Sequence, residues 1–204
     1  MYGTLIGAVS FVQRKTMFLD DAELKTESWR LRHSPEAIRT LGVWRWKGMQ
    51  RHMERILSLC VGKRVIDFGG ADGPLGLGSI VVDQKATIKT LDDVPGLVDV
   101  IFTSHCLEHT ENPAGIIGQC EHKLVAGGAL VVHVPAWTCK RWRAEEYGNP
   151  AQNDHLWTFY LSTDNPLPWR EIQHSAYAID LMIHDIELAE HCGDNSLMVI
   201  GRKR

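Results

Sequence analysis

The stretch Val65-Ile66-Asp67-Phe68-Gly69-Gly70-Ala71-Asp72-Gly73, followed by Ile80-Val81-Val82-Asp83, most narrows what this chain can fold into. An apolar, β-branched run enters a glycine-rich turn, and a second apolar run ends in a carboxylate. Such an order suits an α/β domain that grips an adenosine-type cofactor. The first strand delivers the chain to a tight turn where glycines let backbone approach the ligand. A carboxylate at the tip of the next strand can take two ribose hydroxyls.

The rest of the chain alternates in the same style. Residues 64–68 and 79–83 read as the first two strands, 86–91 as a weaker one, and 98–102 as another. Asn112-Pro113 opens a helix running to about Leu124, with proline at its first position. Gly127-Gly128 turns the chain into the buried strand 129–135. The runs 185–189 and 196–201, with Gly193-Asp194-Asn195 between them, predict a closing hairpin. Strands alternating with helices, then a hairpin, imply a Rossmann-like, doubly wound α/β fold in three αβα layers. Its sheet is mostly parallel with an antiparallel C-terminal hairpin edge.

Upstream, Val43, Trp46, Met49, Met53, Ile56, Leu57 and Cys60 recur at steps of three and four, the signature of one amphipathic helix ended by Gly62. Ser34-Pro35-Glu36 reads as an earlier helix start, and residues 4–12 as a short strand or helix. A single domain spans 1–204: a helical support or lid over 1–60, then a core over 61–204. An insertion, 137–170, is rich in Trp, Pro and polar residues and has little regular structure. The Trp44/Trp46 pair reads as core or lid packing.

Composition bounds the class. The chain has 204 residues, 44% hydrophobic and 23% charged, which suits a soluble globular protein. A net charge of −3 argues against a nucleic-acid partner. Five cysteines with no C-x-x-C pair read as reduced thiols in a cytoplasmic setting. No segment reads as membrane-spanning, and the oligomeric state is left open.

With these residues in place, the chain resembles the class I S-adenosylmethionine-dependent methyltransferases over roughly residues 40–201. Three segments carry the likeness. Asp67-x-Gly69-x-Ala71-x-Gly73 is close to the family's acidic glycine turn. Residues 98–113, with Leu107-Glu108-His109 and Asn112-Pro113, are similar to its fourth strand and helix entry. Leu124-Val125-Ala126-Gly127-Gly128 is similar to the turn before its fifth strand. There are two departures. Ala71 replaces the middle glycine, which alanine tolerates at negative φ. Asp67 and Asp83 also stand closer than the usual spacing of about 20 residues, so the first crossover helix must be short or distorted.

The resemblance implies S-adenosyl-L-methionine as cofactor and a small-molecule methyl acceptor, with transfer to oxygen on a sugar, quinone-like compound or other metabolite. It implies cofactor contacts from Asp67, Gly69, Gly70, Ala71, Gly73, Asp83, Gln84, Asp92, Ser104 and His105. Asp67 would face the cofactor's ammonium; its plainer role is to cap turn amides. Asp83 would hold the ribose, Gln84 the adenosine edge, and Asp92 or Asp93 the adenine amino group. His155 is the candidate base on an acceptor hydroxyl, oriented by Asp154, and His109 is a second catalytic candidate. Lys140-Arg141-Trp142-Arg143 is a basic patch suited to a substrate anion. Glu108 beside His109 shows no further legible ligand, so no metal site is expected. Two alternatives stand: a methyltransferase-like binding protein without catalysis, and an NAD-type Rossmann oxidoreductase.

Overall fold

The computed structural model describes residues 41–139, 155–164 and 175–204. The expected features at residues 4–12, Ser34-Pro35, Lys140–Arg143 and Asp154 lie outside these. The described elements are α1 (Lys47–Arg51), α2 (Met53–Cys60), β1 (Val65–Phe68), β2 (Ile80–Val82), β3 (Val98–Ser104), α3 (Pro113–Lys123) and β4 (Leu124–Pro135). They continue with β5 (Trp157–Tyr160), β6 (Ser175–Ala178), β7 (Ile186–His191) and β8 (Ser196–Arg202).

Among the described residues, six strands form one sheet in the order β2-β1-β3-β4-β8-β7. The first four are parallel, and β8 and β7 close the edge antiparallel. This is the expected mixed, Rossmann-like sheet. The chain leaves β1 in one direction to β2 and returns on the other side to β3. Their carboxyl ends therefore flank the point where winding reverses, which is where such sheets bind ligands.

Period-2 alternation sends neighbouring side chains to opposite faces. Val100, Phe102, Ala129, Val131, Met198 and Ile200 pack on one face with Met49, Ile56 and Cys60 of α1 and α2. Ile101, Leu130, Val132, Leu197 and Val199 pack on the other with Ile117 and Cys120 of α3. Helices on both faces give the three layers. Ile56 is fully buried, and a side chain of that size contributes roughly 2 kcal/mol. In α3 the Asn112 side chain accepts the Gly115 N–H at 2.9 Å, Pro113 opens the first turn, and His122 and Lys123 fall in the last.

Four local expectations are corrected. The single amphipathic helix over 43–59 is three pieces: a 3-10 turn Gly42–Arg45, then α1, then α2. Trp46 is extended (ψ 134°) and His52 leaves helical geometry between the helices. The strand expected over 86–91 is reduced to one bridge, Val82 to Ile88. Strand β4 begins at Leu124 and carries Gly127 (φ +73°) inside a register shift against β3, where a turn was expected. The insertion holds β5, which pairs in parallel with the distant β6. As the short spacing required, residues 69–79 form turns and no helix. No described helix is long and apolar enough to cross a membrane.

Candidate active site

Two buried carboxylates mark the carboxyl edge of the sheet. The first, Asp67 on β1, is 1% exposed. Its Oδ2 accepts the Leu75 N–H at 2.7 Å, and its Oδ1 is buried with no hydrogen-bond partner. Burial pushes its pKa up to about 6, against the Leu75 hydrogen bond and with help from the negative charge of Asp83. The next residues are shaped around it. Gly69 has φ +80° and donates to the Val82 carbonyl at 2.8 Å. A Cβ on Gly70 would sit 2.2 Å from Asp67 Oδ2, so only glycine fits beside this carboxylate.

Asp83 closes the turn from the tip of β2. Its Oδ1 accepts the Lys85 N–H at 2.8 Å, and its Oδ2 takes a long contact of 3.4 Å from the Ala71 N–H. Ala71 lacks positive φ, which is why alanine is tolerated there. Gly73 lies against the Arg45 guanidinium. The structure thus gathers Asp67, Gly69, Gly70, Ala71, Gly73 and Asp83 into one turn. Gln84 and Asp92 are both exposed. The Gln84 carbonyl accepts from Lys89, and Asp93, next to Asp92, closes a capping box with Thr90.

The second carboxylate is Glu108, in a 3-10 turn Leu107–His109 just beyond β3. It is 0% exposed, and neither carboxylate oxygen has a hydrogen-bond partner. Three imidazoles surround its Oε1: His105 Nδ1 at 3.4 Å, His109 Nε2 at 3.9 Å and His155 Nε2 at 3.9 Å. The 3.4 Å approach of His105 is an ion-pair distance without hydrogen-bond geometry. Burial pushes the pKa of Glu108 up, and the imidazoles around it, His105 first, outweigh burial, so the group lies below the ordinary glutamate value.

The sequence places His155 far from Glu108, and the fold closes the gap. The Leu156 N–H donates to the Glu108 carbonyl at 2.7 Å, and Trp157 Nε1 donates to the Thr110 carbonyl at 2.6 Å. These bonds seat the segment before β5 over the turn. The rings of His109 and His155 meet edge to face with centroids 4.6 Å apart. His105 itself has φ +50°, a left-handed backbone that costs on the order of 1–2 kcal/mol for a side-chain-bearing residue. Its ring stacks on Trp46 at 4.7 Å, and the Arg45 guanidinium lies over the same indole, 5.0 Å from its centroid.

Ser104 belongs to a different network. Ser196 donates to Asp194, so its oxygen receives Nε2–H from His133 at 2.8 Å. Nδ1 of His133 is then the acceptor for the Ser104 hydroxyl at 2.9 Å. Asp194 also accepts the Gly48 N–H at 2.6 Å. His133 is fully buried; desolvation first, then the charges of His105 and His52, hold it neutral, well below its usual range. This chain ties β3, β4, β8 and α1 together beneath the site. Sequence reasoning missed Glu108 as a centre and His133; it read Trp46 as core or lid packing, and the structure stacks it on His105. The spacing His105-x-x-Glu108-His109 and a lone histidine in the apolar run 129–135 were the available signals.

Two features restrict the mouth. Cys106 packs on Gly69: a Cβ on that glycine would meet Sγ at 2.3 Å. Burial, then the charges of Glu108 and Asp83, push the Cys106 thiol up to about 12, so it is no nucleophile at neutral pH. The segment before α1 crosses the turn, with Trp44 Nε1 donating to the Leu75 carbonyl at 3.0 Å and the Val43 N–H to Pro74 at 3.3 Å. Trp44 is core, as its pattern suggested.

No protein-family model matches the chain, and no curated protein matches it. Among solved structures it is similar to the pyocyanin biosynthetic protein PhzM, at 13% identity over 100% of this chain and 71% of that one, with a TM-score of 0.44. It is similar to an O-methyltransferase family protein from Burkholderia thailandensis, at 15% identity over 98% and 71%, TM-score 0.44. A SAM-dependent methyltransferase from Archaeoglobus fulgidus is similar at 14% identity over 82% and 97%, TM-score 0.43. At these scores the likeness is loose, and the fold assignment rests on the chain's own strand order.

Proposed function

We propose that this chain is an S-adenosylmethionine-dependent methyltransferase that modifies an oxygen of a small molecule. The observation that carries the reading is the buried, unpartnered Oδ1 of Asp67 at the winding reversal, with Asp83 one strand over. A buried acceptor without a donor is costly, and the ammonium of an amino-acid moiety is a donor of the right kind. Asp83 uses each oxygen once on a backbone amide, which leaves lone pairs for two hydroxyls. The residues therefore fit the cofactor. When bound, that cofactor supplies an electrophilic methyl group on sulfur.

The protein's own part is to hold, orient and dehydrate. Asp67 and Asp83 hold the two ends of the cofactor. Ser104 and the β3 backbone, braced by His133, fix the edge it lies along. Trp46, Trp157 and the segment carrying His155 exclude water from the Glu108 side. There His155, with His109 as its neighbour and Glu108 as counter-charge, accepts the proton of an acceptor hydroxyl. The aim is alignment of nucleophile and methyl carbon, which accounts for most of the acceleration in such transfers.

Calorimetric titration with S-adenosylmethionine and S-adenosylhomocysteine, with NAD as control, tests the reading. Micromolar binding of the sulfur cofactors alone is the expected result. NAD binding would overturn it, and the structure disfavours NAD because residues 69–79 offer no helix N-terminus to a pyrophosphate. A second reading, a methyltransferase-like binding protein without catalysis, is favoured by Cys106 packed on Gly69. It predicts no binding of either sulfur compound.

A further inference from the structure

We propose that Glu108, His109 and His155 form a divalent transition-metal site of the zinc class, with one coordination position open to water or to an oxygen of the substrate. The carboxylate and the two imidazoles each offer one ligand atom, and all three atoms lie within 4.8 Å of one another. In a four-coordinate site with bonds of about 2.0–2.2 Å, ligand atoms stand about 3.3–3.6 Å apart. The Nε2 atoms of His109 and His155 are both 3.9 Å from Glu108 Oε1, so a small side-chain closure completes the set.

The second, independent observation is the state of Glu108. It is wholly buried, and both its oxygens lack a hydrogen-bond partner. A buried carboxylate is normally paired and hydrogen-bonded or bound to a metal. Nitrogens at 3.9 Å are too distant to hydrogen-bond it, yet they converge on the space beside it, as ligands sharing one ion do. His105 Nδ1, at 3.4 Å from the same oxygen and outside the compact set, is placed to steady the carboxylate as an outer partner. The donor set of two imidazoles and one carboxylate suits zinc and related ions and leaves the fourth position vacant, as in catalytic rather than structural sites. Access is from the His109 side, the exposed edge of the set.

A second cluster, His133, Cys192 and Asp194, has the same compactness, but both ring nitrogens of His133 already hold serine hydroxyls. It is built as a brace. With an ion bound at Glu108, His109 and His155 serve as ligands, and an acceptor hydroxyl held at the open position would be acidified by the metal and give its proton to solvent water, in place of transfer to the histidine base. That last role rests on the methyltransferase reading; the binding of metal does not.

The test uses the full chain, stripped with chelator and titrated with zinc chloride by calorimetry, and separately with cobalt(II) by visible spectroscopy. One site per chain is expected, with a cobalt spectrum of nitrogen and oxygen ligands and no thiolate charge-transfer band. Glu108→Gln and His155→Ala should each weaken zinc by more than roughly tenfold. Zinc should raise the melting temperature of the parent chain and leave that of Glu108→Gln unchanged, which guards against a variant that merely folds poorly. A thiolate band, the absence of saturable binding, or equal affinity in both variants would overturn the site. Loss of zinc binding with S-adenosylmethionine binding retained would remove the metal and leave the methyltransferase reading; the converse would do the opposite.

Discussion

Asp67 and Glu108 are both buried carboxylates at the same edge of one sheet, both with an oxygen that no donor meets, yet their acidities move in opposite directions. Asp67 is enclosed by backbone and has one amide bond and another carboxylate nearby, so desolvation prevails and its value rises to about 6. Glu108 is more completely buried, yet three imidazoles face it and its value falls. Burial alone does not decide the charge of such a group; the sign of its neighbours does. One edge thus carries a buried carboxylate with an oxygen that meets no donor, and another ringed by three imidazoles.

The largest effect expected from this contrast is on stability. Asp67 binds its proton more tightly in the folded chain than in the unfolded one. Folding stability should therefore fall as pH rises from about 4 to about 6, by about 3 kcal/mol in total, and stay low above that. Asp67→Asn should flatten this slope, while Glu108→Gln should leave it in place. Denaturant unfolding at several pH values checks both, and an unchanged slope in Asp67→Asn would break the assignment.

Next in size is catalysis. His155→Ala should lower turnover by about 100-fold or more while cofactor affinity stays within about twofold. Steady-state kinetics beside calorimetry separates the two, and full turnover in the variant would remove His155 from the chemistry. Asp83→Ala should do the reverse at a smaller scale. It should weaken cofactor binding by about tenfold, the loss of a charged hydrogen bond, with little change in melting temperature. Unchanged affinity would cancel the ribose role.

The smallest effect concerns the roof. Trp46→Ala removes the ring stacked on His105 and should cost about 1 kcal/mol of stability. It should also free the strained His105 backbone. Thermal unfolding together with the His105 imidazole resonance in NMR checks this; an unmoved resonance would show that the stack does not hold the ring.

Much of the frame was legible along the chain. The apolar runs at 64–68, 98–102 and 129–135 are buried strands with few competing assignments, and Asn112-Pro113 carries its own cap. The gathered turn from Asp67 to Asp83 was readable because its parts are close in sequence and each glycine has a local reason. The segments that misled did so where pairing is remote. Strand β5 forms only because β6 lies alongside, and the helix over 43–59 breaks where Trp46 leaves the helical path to reach His105. Residues 86–91 have strand-like composition, yet one bridge is all the sheet edge provides.

The amino-acid order determined the alternation of strands and helices, the winding of the sheet and the carboxylates at its edge. These follow from hydrophobic period and turn chemistry, which act over a few residues. Only the tertiary structure decided that Glu108 would be enclosed by His105, His109 and His155, and that Asp67 would be left with a bare oxygen. Charge and desolvation depend on distance through space, and His155 comes to Glu108 through bonds between segments far apart along the chain.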